Sequence, residues 1–94
     1  MSNAESNKQF WEMADSFLRL ANDHCKAAPP SNVGATFLYA ASRFNTFVAA
    51  AKTTSKEQLA AEKEAAIKYF LGQYEKMLRE NLNEYENNYE KYPR

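Results

Sequence analysis

The stretch from Val33 to Ala51, VGATFLYAASRFNTFVAAA, constrains this chain more than any other. Its nineteen residues carry one charge, Arg43, and apolar side chains fall on most of a helical circumference. That pattern predicts a helix buried on several sides, the central element of a helical domain, with amphipathic helices before and after it. Its alanines favour the helix and let neighbouring backbones come close. The stretch is long enough to span a bilayer, but Arg43 and Asn45 near its middle would be costly in lipid, so no membrane partner is expected.

Breaks are few, because the chain has two glycines and three prolines among its 94 residues. Ala28-Pro29-Pro30-Ser31 stops one helix, and Ser31 is the expected N-cap of the next. After Lys52, Thr54 with Glu57 or Ser55 with Gln58 fits the capping-box spacing. The junctions predict helices over about 6–27, 31–52 and 55–89, within one helical domain covering 1–94. Both links are short, so consecutive helices should run antiparallel.

Helix one carries one apolar face (Phe10, Met13, Ala14, Phe17, Leu20, Ala21, His24) and a second stripe of Trp11, Leu18 and Cys25. On helix two, Asn32, Thr36, Tyr39, Arg43 and Thr46 share a polar strip. Asn45 falls on the opposite side, among Leu38, Ala41 and Val48. Helix three should reach roughly 50 Å against roughly 30 Å for helix two, at 1.5 Å per residue. The expected fold class is therefore all-α, a three-helix antiparallel arrangement whose long C-terminal helix overhangs the other two. The overhang keeps its apolar stripe, which predicts a homodimer with Met77, Leu78, Leu82, Tyr85 and Tyr89 at the interface. A bend at Gly72 that folds the tail back is the alternative.

Twelve basic and twelve acidic residues give zero formal charge, which speaks against nucleic acid as a partner. The N-terminal MSNAESNKQF lacks the basic-then-apolar layout of a signal peptide, and the single Cys25 cannot form an internal disulfide. A cytoplasmic location is expected. His24 and Cys25 are adjacent, so on a helix they point about 100° apart and chelate one ion poorly. No further histidine or cysteine exists to complete a metal site. No catalytic residue, cofactor or metal is expected, and the protein is read as not an enzyme. Asp15–Arg19, Glu64–Lys68 and Glu75–Arg79 have the spacing of solvated helix pairs.

The polar residues in unusual places are Asp15, Asn22, Tyr39, Arg43 and Asn45. In the structural reading Asn45 is a buried amide that fixes helix register and Arg43 pairs with Asp15. In the functional reading the five form a pocket for a small anion or a carboxylate, which arginine grips bidentately.

LYAASRFNTFVAA, with ADSFLRLAN before it and YFLGQYEKMLRENLNEY after it, resembles the bacterial domain of unknown function numbered 3144. The likeness covers about Phe10 to Tyr89 and centres on Tyr39, Arg43, Phe44 and Asn45. It implies a short all-helical protein of the kind found chiefly in proteobacteria, and no particular activity. The function expected is that of a self-associating helical module working through protein–protein contacts. The alternative is small-molecule or anion binding around Arg43 and Asn45.

Overall fold

The computed structural model describes residues 3–92. It contains three helices, α1 (Asn3–His24), α2 (Pro30–Ala51) and α3 (Lys56–Asn87), followed by a 3-10 turn over Tyr89–Lys91. No strand occurs among the described residues, so the fold is all-α. The chain divides into two compact units, residues 1–47 and 48–94, with the boundary inside α2.

In the first unit, α1 and α2 form a helical hairpin. α1 ends at His24, earlier than Ala27, because the backbone tightens ahead of the prolines. Cys25 N–H is shared between the carbonyls of Ala21 and Asn22, and Lys26 and Ala27 then bond three residues back, to Asp23 and His24. Such i→i+3 bonds satisfy terminal carbonyls where proline forbids another α turn. α2 begins at Pro30, one residue before the expected start at Ser31. Proline has no N–H to waste at the first helical position, and the Pro29 carbonyl accepts from Asn32 and Val33. Ser31 therefore lies inside the helix and is not its cap.

The second unit opens with the end of α2 and the capped start of α3. Of the two capping pairs the sequence allows, Ser55 with Gln58 forms. Ser55 Oγ accepts from Gln58 N–H at 3.0 Å, and Gln58 Oε1 accepts from the Thr54 N–H at 2.8 Å. α3 runs unbroken through Gly72, so no helix end occurs there. With 32 residues against 22 in α1 and in α2, it is longer by about 15 Å.

One expectation fails. The sequence predicts α2 as a buried centre, yet it has no buried residue, and Phe44 and Phe47 are 66% and 58% exposed. Only Val33, Asn45, Ala49 and Ala50 are half-buried within it. The physical reason is the number of neighbours. In the first unit α2 meets one helix, and one neighbour covers one side of a cylinder whose apolar residues run most of the way round. None of the other described residues is buried either.

Candidate functional site

Three places could carry function: a cleft in the first unit, the polar residues of α1 and α2, and the outer half of α3 with its tail.

The cleft lies between the C-terminal half of α1 and the N-terminal half of α2, with a volume of about 370 Å³. Phe17, Leu20, Val33 and Phe37 give it an apolar lining, and His24, Asn32 and Thr36 are its polar members. The Pro29-Pro30 turn positions it, by bringing the α1 face of Phe17 and His24 against the first turns of α2. Asn32 and Thr36 belong to the polar strip of helix two that the sequence defines. Thr36 Oγ1 donates to the Asn32 carbonyl at 2.9 Å, so its hydroxyl brings no unmet polar demand to the cleft. The same economy recurs further along α2, where Ser42 donates to Tyr39 O and Thr46 to Ser42 O.

No hydrogen bond or ion pair joins any two of Asp15, Asn22, Tyr39, Arg43 and Asn45 among the described residues. Asp15 instead meets Arg19 at 3.8 Å, one turn along its own helix. Asn22, Tyr39 and Arg43 are exposed, whereas Asn45 is half-buried, and none of the five lines the cleft. Of the other expected helix pairs, Glu75–Arg79 closes at 3.0 Å and Glu64–Lys68 does not form. Both observed pairs are largely solvated, and pairs of this kind contribute a few tenths of a kcal/mol. Cys25 is a free, exposed thiol. No group of three or more His, Cys, Asp or Glu side chains converges as a metal site among the described residues. Nor is any described helix long and apolar enough to cross a membrane.

On α3, every residue from Leu71 to Asn87 is exposed, including Met77, Leu78, Leu82 and Tyr85 of the expected interface. Leu71 and Leu82 are 63% and 61% exposed. The helix stops at Asn88, short of the expected Tyr89. Asn88 caps that end: its backbone N–H donates to the Glu84 carbonyl at 3.1 Å and its Nδ2 to the same oxygen at 3.0 Å. Tyr89 therefore sits in the 3-10 turn. That turn brings Tyr92 back onto Tyr85, with ring centroids 3.9 Å apart and planes 15° from parallel. Tyr92 Oη donates to the Glu84 carboxylate at 2.5 Å. This bond to an anion raises the Tyr92 pKa above the ordinary phenol value of 10.0.

A family model described as protein of unknown function DUF3144 matches residues 10–86. The chain belongs to this family. Among solved structures, this DUF3144 chain is similar to the protein NB7890A from Shewanella sp, determined by NMR. The two are 28% identical, the match covers 88% of each chain, and the TM-score is 0.78. No curated protein matches the DUF3144 chain.

Proposed function

We propose that this DUF3144 protein is a non-enzymatic helical module that associates with itself and acts through protein–protein contacts in the cytoplasm. One observation carries the reading: large apolar side chains of all three helices stand in water, and none of the described residues is buried. Contiguous apolar surface beyond a few hundred Å² marks interaction sites on soluble proteins. Association is one of the routes by which chains of this size that lack a full core of their own gain stability. The free, exposed thiol of Cys25 suits a reducing compartment. Sedimentation equilibrium from low to high micromolar concentration tests the proposal. A reversible rise from monomer mass to dimer mass is expected, and monomer mass throughout would refute it.

A second reading, small-molecule binding, draws on the cleft. Its volume of about 370 Å³ falls within the range of ligand sites, and its lining is apolar with a few polar groups. Anion binding through Arg43 and Asn45 is the other form of this reading. A thermal-shift screen with apolar and anionic metabolites separates the two. Phe17→Ala should abolish an apolar ligand's shift, and Arg43→Ala that of an anion.

A further inference from the structure

The proposed self-association leaves open which surface pairs and in what direction; the pattern on α3 answers both. Leu71, Tyr74, Leu78, Leu82 and Tyr85 are spaced 3, 4, 4 and 3 residues apart, a series that reads the same in both directions from Leu78. At about 100° per residue the five fall within an arc of about 80°, as a single stripe along one side of the helix. All five are exposed. From these observations we infer that α3 pairs antiparallel with α3 of a second copy, with the two-fold axis passing at Leu78.

In that arrangement Leu71 meets Tyr85 of the second copy, Tyr74 meets Leu82, and Leu78 meets itself. Under a two-fold axis residue i of one copy meets residue j of the other and j meets i, and this spacing sets apolar against apolar at each of the five positions. The charges agree. Lys68, Glu75, Arg79 and Glu86 all lie on one flank of the stripe, between about 60° and 100° from Leu78. An antiparallel pair sets this flank against the same flank of its copy. Lys68 then comes level with the second copy's Glu86, and Glu75 with its Arg79, each within about two residues of rise. The Glu75–Arg79 bond at 3.0 Å within one chain would thereby join a four-membered network with its copy. The other flank holds Phe70, Met77 and Asn81 and no charge. A parallel pair would set the charged flank of each copy against that uncharged one, giving Lys68 and Glu86 no partner across the pair. Covering the five side chains in both copies removes on the order of 1,000 Å², the size at which specific interfaces begin.

This inference rests on the self-association proposed above, and the test separates the two. Dimer mass is measured by sedimentation equilibrium for the native chain, Leu78→Glu, Lys68→Glu, Glu86→Lys and the double exchange Lys68→Glu/Glu86→Lys. Circular dichroism checks that each variant keeps its helicity. Leu78→Glu sets two carboxylates together at the axis and should weaken the dimer by roughly 30-fold or more. Each single reversal should weaken it, and the double exchange should restore it. Orientation is read in a Cys25→Ser background by oxidising Leu71→Cys and Tyr85→Cys chains, alone and mixed. Covalent dimer is expected only from the mixture. Native dimer with Leu71→Cys cross-linking to itself, or with no rescue by the double exchange, overturns the antiparallel α3 pair and leaves self-association standing. Monomer at every concentration overturns both.

Discussion

Gly72 offers the sharpest single test of the α3 surface. It lies in the interior of α3, and a Cβ built on it meets no atom within 4 Å. Glycine in an exposed helix interior costs about 0.8–1.0 kcal/mol relative to alanine, through the backbone entropy lost on ordering it. Among the described residues no close approach requires the missing side chain, so Gly72→Ala should stabilise by about 1 kcal/mol. For a chain of this size the melting temperature should rise by about 4–8 °C. The antiparallel pair leaves the expectation unchanged, because Gly72 lies about 120° round the helix from Leu78, outside the stripe. Gly34 in α2 is equally open and is the internal control. The two sites are far apart in sequence and share no partner, so the double variant should add to about 2 kcal/mol. The assay is thermal unfolding followed by circular dichroism at fixed protein concentration. A melting temperature that falls for Gly72→Ala while rising for Gly34→Ala would show a neighbour closing on Gly72 in solution, and the reasoning about this face would be wrong.

Three further expectations follow from individual contacts. Ser55→Ala removes the oxygen that accepts from Gln58 N–H and should destabilise α3 by about 1 kcal/mol, read as a lower urea midpoint; no change would mean that Thr54 takes over the cap. Asn45→Ala should cost less than about 0.5 kcal/mol, since the half-buried amide has no hydrogen-bond partner among the described residues to leave unsatisfied; a loss above about 2 kcal/mol would mean that the amide is bonded within the folded chain or its assembly. Tyr92 titrates above the ordinary phenol value because its neutral form donates to Glu84. The stabilisation from that bond is complete below about pH 10 and is lost as pH rises through the raised value. Alkaline titration of phenolate absorbance should contain a late-titrating phenol that Tyr92→Phe removes, and its persistence in that variant would refute the tail contact.

The three helices were legible because periodicity and punctuation agree. Pro29-Pro30 and the Thr54-Ser55 cap fall between stripes whose spacing is helical, and the observed ends lie within three residues of those expected. The tail was not legible in the same way. Tyr85, Tyr89 and Tyr92 continue the α3 stripe as if the helix went on, and the signal against this was Asn87-Asn88, a pair whose side chains compete for backbone groups. The cleft was half-visible. Phe17, Leu20, Ala21 and His24 were already one face of α1, but dividing α2 by polarity put Asn32 and Thr36 outside. A threonine whose hydroxyl bonds its own helix counts as polar in a sequence and carries no unmet polar demand in a structure. Burial was the property that could not be read from the stripe. Hydropathy tells which sides of α2 would gain from cover, and says nothing about whether this chain supplies it. The same distinction makes α3 informative. Along α3 the five stripe positions mirror about Leu78, and Lys68 and Glu86 lie at nearly complementary heights on one flank. In the proposed end-for-end pair that order would set apolar side chains against apolar ones and Lys68 near the second copy's Glu86, which is why the charge reversals and the Leu71/Tyr85 cross-link test it directly.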